Sequence, residues 1–116
     1  MLTKTKKGDL GEEYASKVIK GIGYKIISRK FRSKFGEIDI IAKDRRVLKF
    51  IEVKTRWSTK FGKPEEAVTQ KKLKNIIKTI DYYLMVNKIK YKNYQIEIIS
   101  IDLSKDRPSF KIIAYS

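Results

Sequence analysis

Two segments of the chain repeat apolar residues at steps of three and four, the period of an amphipathic helix. The first runs from about residue 7 to residue 22, with a stripe formed by Leu10, Tyr14, Ala15, Val18, Ile19 and Ile22. The second ends near Asn87, with a stripe formed by Leu73, Ile76, Ile77, Ile80, Tyr83 and Leu84. Its start is either Pro64, followed by two acids, or Thr69 as an N-cap.

Five other segments are rich in β-branched and aromatic residues and predict strands at 24–30, 36–43, 47–54, 95–103 and 110–115. A basic connection is expected at 31–35, a polar loop at 55–64 and a linker at 88–94. The order α-β-β-β-α-β-β predicts one α/β domain over residues 1–116, with a central mixed sheet flanked by helices. The hairpin of 36–54 should lie centrally in that sheet, because both of its faces are mostly apolar.

The hairpin also predicts a cluster of charged groups. A turn centred between Arg45 and Arg46 sets Asp39 opposite Glu52 and Glu37 opposite Lys54, all on one face. Opposed side chains have Cβ atoms about 5 Å apart, so the two acids repel unless a proton or cation lies between them. Asp and Glu oxygens suit a hard divalent cation such as Mg²⁺. Lys54 would then lie beside the ion and either hold a nucleophilic water or neutralise charge on a phosphate.

The alternative is a solvated face of mixed charge. It is disfavoured because Leu48, Phe50 and Ile41 share that face and should cover it, and ionisable groups are seldom buried without a partner. Glu12 on the first helix also has two interpretations. It either stabilises the helix dipole in solvent or leans over the sheet as a third acidic ligand.

Composition restricts the chemistry further. The chain has no Cys and no His, which excludes disulfides, thiolate metal sites, zinc-hydrolase sites and Ser-His-Asp triads. It lacks an apolar run long enough for a membrane span or signal peptide, so we expect a soluble, cytoplasmic protein. A net charge of +15 favours a polyanionic partner, with nucleic acid ahead of a membrane surface; lysine-rich codon bias is the alternative source of the charge.

Candidate nucleic-acid contacts lie in three basic segments. They are Lys34 in the connection at 31–35, Arg56, Trp57 and Lys60 in the loop at 55–64, and Gln70, Lys71 and Lys72 at the start of the second helix. An exposed-looking Trp57 in a basic loop suits substrate contact. Phe31 and Phe35 either stack on a base or, as we favour, plug the core beneath a loop. The lysines of the second helix either bind phosphate or form a solvated face.

Four motifs, in order, carry a family resemblance: Gly11-Glu12-x-x-Ala15, the segment 36–42, the segment 50–56, and the segment 64–72. Together they resemble the YraN-like family of small bacterial proteins, within the PD-(D/E)XK nuclease superfamily that includes archaeal Holliday junction resolvases. The similarity covers nearly the whole chain and implies a restriction-endonuclease-like fold.

The resemblance also implies roles for individual residues. Asp39 and Glu52 would be metal ligands for Mg²⁺ or Mn²⁺, with Glu12 an additional ligand or water anchor. Lys54 would be the catalytic lysine. Lys72 occupies the helix position where related resolvases carry Gln or Lys, and Gln70 is a rival for that role.

Three functions are therefore expected in order of preference. The first is a metal-dependent endonuclease acting on DNA, including branched or recombination intermediates. The second is a nucleic-acid-binding module that keeps the nuclease fold without cleavage. The third is a protein-interaction factor whose acids form a buried ion-pair network with Lys54. A homodimer is compatible with all three.

Overall fold

The computed structural model describes residues 3–58, 68–90 and 93–115. In these residues, two helices and five strands follow one another in the predicted order α-β-β-β-α-β-β. Their bounds are α1 Lys4–Gly21, β1 Lys25–Ser33, β2 Gly36–Asp44, β3 Val47–Arg56, α2 Gln70–Val86, β4 Tyr94–Asp102 and β5 Ser109–Ala114. The predicted α/β class is confirmed.

The five strands form one mixed sheet in the order β1-β2-β3-β4-β5. Strands β3 and β4 are parallel and the other neighbours are antiparallel, because α2 supplies the crossover that a parallel pair requires. The β2–β3 hairpin lies centrally, as predicted. Strand β1 extends to Ser33, so the expected basic connection at 31–35 is wrong and only a tight turn joins β1 to β2.

Each face of the sheet carries one of the two described helices. Helix α1 packs Ala15 and Ile19 on a layer that includes Ile40, Ile51, Ile99 and Ile101. Helix α2 packs on the opposite layer, which includes Ile41, Leu48, Phe50, Ile96 and Ile98. The domain therefore has three layers, with the sheet buried between two helices.

The helix predictions are confirmed: α1 begins three residues earlier than expected, and α2 ends directly before the expected Asn87. Thr69 caps α2 and its hydroxyl accepts a hydrogen bond from the Lys72 N–H at 3.1 Å. The alternative start at Pro64–Glu66 lies outside the described residues. Leu10, Ile22 and Ile77 are 48%, 48% and 37% exposed, because each lies at an end or at the margin of its stripe.

Gly11 fixes the distance between α1 and the sheet. A Cβ built on Gly11 would lie 1.7 Å from Thr55 Oγ1, so only a residue without a side chain allows the helix to approach β3 this closely. Across the described residues, neither helix combines the length and apolar character needed to cross a bilayer.

A buried ion pair lies on the α1 side of β3 and β4. Lys49 Nζ is 3.0 Å from Glu97 Oε2, and the two side chains are 8% and 7% exposed. The Tyr24 hydroxyl donates to Glu97 Oε1 at 2.9 Å, and Lys49 also donates to Gln95. Because each charge has several partners, we assign this network a structural role.

Candidate active site

The candidate site lies where the hydrogen-bonded pairing of β2 with β3 ends. The ladder has the predicted register from Asp44–Val47 to Ile40–Ile51. Within this fully described hairpin, the expected pairs Asp39–Glu52 and Glu37–Lys54 do not continue it. Instead, Asp39 Oδ2 accepts a hydrogen bond from the Val53 N–H at 2.8 Å. The side chain of Asp39 thus takes the place of a backbone acceptor and links β2 to β3 beyond the end of their ladder.

The alternation of faces also breaks at this level. Ile38 and Ile41 both belong to the core layer beneath α2, whereas a regular strand would place them on opposite faces. On β1, Lys30 has a φ of +53° and lies level with Asp39, between the pairs Arg29–Ile40 and Phe31–Ile38. The prediction of one regular acidic face is therefore wrong in its geometry, since the acids lie at a distortion of two strands.

At this level a groove of about 600 Å³ lies between α1 and the sheet. All four charged residues predicted from the hairpin line it, together with Glu12 and Trp57. Further groups along the groove are Lys7, Gly8, Asp9, Lys30, Arg32, Val53 and Thr55. The groove is therefore lined by charges of both signs.

Asp39 and Glu52 interact unfavourably inside this groove. Burial, followed by the Glu52 charge, raises the pKa of Asp39 to about 7, although the Val53 N–H opposes the shift. The Glu52 side chain is only 12% exposed. The carboxylate pair predicted from the sequence is thus brought together, at an electrostatic cost that a bound cation would remove.

Two lysines pair with the Glu52 carboxylate. Lys72 Nζ donates to Glu52 Oε1 at 2.9 Å and Lys54 Nζ lies 3.6 Å from the same oxygen. Burial and then the nearby Lys72 lower the pKa of Lys54. Burial opposes the charge on Lys72, but its hydrogen bond to Glu52 raises its pKa overall. Lys72 reaches the site, whereas its rival Gln70 is exposed at the start of α2.

Glu12 is buried rather than solvated, at 8% exposure. Burial raises its pKa, against the opposing charges of Lys30 and Arg29. Its Oε1 atom lies 3.6 Å from Arg29 Nη2 and accepts no hydrogen bond from the described residues. The dipole interpretation is wrong, because α1 begins at Lys4 and places Glu12 beyond the first turn.

The geometry gives two clustered oxygen donors rather than three. Among the described residues, no three acidic side chains are close enough together to hold one ion, so Glu12 is not gathered with the carboxylate pair. Mg²⁺ is commonly held by one or two carboxylates, with waters and substrate phosphates as its other ligands. Asp39 and Glu52 fit that requirement, and Glu12 lies farther along the groove.

The residues predicted to contact nucleic acid lie in several different parts of the structure. Trp57 is half-buried rather than exposed, and Lys7 Nζ lies 5.5 Å from its ring centroid. Arg56 ends β3 opposite Asp102, and Lys71 is exposed on α2. Lys34 lies at the β1–β2 turn. Lys60 lies outside the described residues.

The sequence did not predict that Lys30 and Arg32 form a basic wall of the groove. Lys30 pairs with Asp9 at 3.2 Å and Arg32 with Glu37 at 3.3 Å. The usable signal was the group of acids at positions 9, 12 and 13 on α1, which need basic partners. The left-handed backbone conformation of Lys30, within β1, has no sequence signal.

Comparisons with known proteins match most of this chain to a single family. The sequence profile of the Uncharacterised protein family UPF0102 matches residues 11–103. A UPF0102 protein of Persephonella marina is 46% identical over 95 residues, covering 82% of each chain. One of Clostridium acetobutylicum is 38% identical over 107 residues, covering 92% of this chain and 88% of the relative. The chain therefore belongs to the UPF0102 family.

Proposed function

We propose that this UPF0102 protein is a metal-dependent endonuclease of the PD-(D/E)XK superfamily that hydrolyses phosphodiester bonds in DNA. The observation that carries the proposal is the position of Asp39 and Glu52. Their carboxylates meet at the separated ends of β2 and β3, and two lysines lie on the same glutamate. Repelling acids in a partly buried groove have no evident role in packing, but they suit a hard cation.

Asp39 and Glu52 would hold Mg²⁺ or Mn²⁺, which supplies Lewis acidity toward a phosphate oxygen when bound. The Val53 N–H orients Asp39 and leaves its other carboxylate oxygen for the ion. Lys54, two residues beyond Glu52 on the same strand, would position a water or neutralise charge that develops on the scissile phosphate. Lys72 would release Glu52 and turn to the phosphate.

DNA is the proposed substrate because the basic residues far outnumber the acidic residues that could pair with them. The chain has 28 basic and 13 acidic residues, and Lys71, Lys74 and Lys78 are exposed along α2. We expect affinity to fall steeply as salt increases and to vary little with base sequence. Anisotropy titrations from about 50 to 200 mM salt measure this dependence, and a flat response would contradict the electrostatic binding.

Nicking of supercoiled plasmid tests the activity. Cleavage should require Mg²⁺ or Mn²⁺ and stop in EDTA. Replacing Asp39 with Asn, or Lys54 with Met, should lower the rate by about a hundredfold or more. The matched controls are Asp106→Asn and Lys105→Met, which alter exposed groups in the β4–β5 turn.

The proposal would be wrong if nicking persisted in EDTA or at the same rate in Asp39→Asn. Either result would assign the cleavage to a contaminant or to other residues. Normal rates in the two control variants establish that loss of one charge elsewhere is harmless.

The second candidate is a nucleic-acid-binding module without cleavage. The contact that favours it is the 2.9 Å ion pair of Lys72 with Glu52, which neutralises the acid without a metal. Calorimetry separates the two. A nuclease should bind Mn²⁺ in a manner that the double change Asp39→Ala and Glu52→Ala abolishes, whereas a binding module should retain DNA affinity and bind no metal at this site.

A further inference from the structure

A second basic surface lies at the turn between β1 and β2. Phe35 is 36% exposed at this turn. Lys34 Nζ lies 5.2 Å and Lys78 Nζ 5.1 Å from the centroid of its ring. We call Lys34, Phe35 and Lys78 the Phe35 platform. Phe35 is not the core plug expected from the sequence, whereas Phe31 does pack against the core.

A chain of hydrogen bonds fixes the platform to α2. The Phe35 N–H donates to Ser33 Oγ at 3.0 Å, and Ser33 Oγ lies 2.8 Å from Thr79 Oγ1. Thr79 is fully buried, and its hydroxyl donates to the Asn75 carbonyl at 2.9 Å. Since the Thr79 proton is used there, Ser33 must be the donor to Thr79. The exposed ring is therefore held by a buried anchor.

The platform lies within reach of the carboxylate pair. Lys78 follows Lys72 by six residues, which is about 9 Å along the helix axis. Phe35 precedes Asp39 by four residues, or about 13 Å of strand. Lys71, Lys74 and Lys78 recur at steps of three and four and share one exposed face. A basic ridge thus leads from the start of α2 near Lys72 to the ring.

We propose that the Phe35 platform binds an unpaired base of DNA, with Lys34 and Lys78 on the flanking phosphates. The inference rests on the proposed nuclease function and specifies its substrate class, namely DNA with unpaired bases near the point of cleavage. An exposed cation–π contact is weaker than stacking of a base on an aromatic ring. The lysines would therefore leave the Phe35 ring and contact phosphates, and the base would stack on the ring.

Binding measured in EDTA tests the platform independently of cleavage. Fluorescence anisotropy compares a single-stranded oligonucleotide with a blunt duplex of the same length. Phe35→Leu should weaken single-strand binding about tenfold and change duplex binding less than about twofold. Phe35→Tyr should restore the single-strand affinity. The matched control is Phe110→Leu, since Phe110 is 44% exposed on the opposite edge strand β5.

A 2-aminopurine in the oligonucleotide reports the stacking directly, because its fluorescence should be quenched by the protein and recover with Phe35→Leu. Lys78→Gln should reduce the salt slope on a single strand by about 0.7. Circular dichroism and thermal unfolding establish that each variant is folded.

Equal losses on single strand and duplex, or no loss on either, would overturn the platform. Tighter binding of single-stranded RNA with the same dependence on Phe35 would overturn the DNA assignment. If the single-strand effect holds while metal-dependent nicking is absent, the nuclease function fails and the platform remains.

Discussion

The charge on Asp39 should make the metal-free protein less stable as the pH rises. Burial and the Glu52 carboxylate raise the pKa of Asp39 to about 7 in the folded protein, whereas an unfolded Asp titrates near 3.9. Between these values the folded state retains a proton that the unfolded state has lost. Stability therefore falls as pH increases through this window and levels off above it.

The size of the effect follows from the same two values. Each pH unit between them changes the free energy of unfolding by about 1.4 kcal/mol, so the full loss is on the order of 4 kcal/mol. Water in the groove and the coupling to Glu52 reduce this figure, and we expect about 2–4 kcal/mol.

Asp39→Asn isolates the contribution of the charge. The amide oxygen can still accept the hydrogen bond from the Val53 N–H, but no carboxylate forms beside Glu52. Near pH 4 the variant should match the wild type. At pH 8 it should be more stable by about 2–4 kcal/mol. Glu12 is present in both proteins, so the effect of its own burial is common to both curves.

Urea denaturation followed by circular dichroism, in EDTA and at intervals from pH 4 to 8, measures both curves. The control is Asp106→Asn, whose curve should run parallel to that of the wild type. Addition of Mg²⁺ at pH 8 should stabilise the wild type, by about 2.7 kcal/mol at a concentration one hundred times its Kd, and leave Asp39→Asn unchanged. Parallel wild-type and Asp39→Asn curves would refute the electrostatic reasoning.

Four substitutions, each measured by urea denaturation, test the packing and the ion pairs of the domain. Lys54→Met should cost less than about 1 kcal/mol, because its partner carboxylate keeps a second lysine; a loss of about 3–5 kcal/mol would make Lys54 structural. Gly11→Ala should cost about 2 kcal/mol or more, because a β3 side chain stands 1.7 Å from the new methyl. Gly8→Ala, with open space in the same helix, should gain up to about 1 kcal/mol. Lys49→Met should cost about 3–5 kcal/mol, because it strands the buried Glu97; an unchanged midpoint would contradict that ion-pair network.

The sequence predicted the elements, their order and the hairpin register because each depends on local patterns. The polar break at 44–46 determines how β2 and β3 pair, and the apolar runs on both sides identify buried strands. The meeting of Asp39 with Glu52 followed from that register, although the ladder itself ends one pair earlier. Thr69 was found as an N-cap because capping depends on a single side chain and its own turn.

The remaining features depend on contacts between distant segments. Glu12 is buried because Gly11 lets α1 approach Thr55 on β3, a contact between residues far apart in sequence. Phe35 is exposed because the β1–β2 turn is short and is tied to Thr79 on α2. No local pattern distinguishes this ring from a core phenylalanine.

The backbone of the site explains how the repulsion between the acids is sustained. Strand β3 remains paired with β4 as far as Arg56–Asp102, five residues beyond its last pair with β2 at Ile51. Glu52 and Lys54 are therefore held on a continuous parallel ladder after β2 has separated. Asp39 is fixed to the same strand through the Val53 N–H. The β3–β4 ladder thus holds the Glu52 side of the pair, and the Val53 N–H holds the Asp39 carboxylate beside it. The arrangement that lowers the stability of the metal-free protein is thus the one that prepares two oxygen donors for a cation.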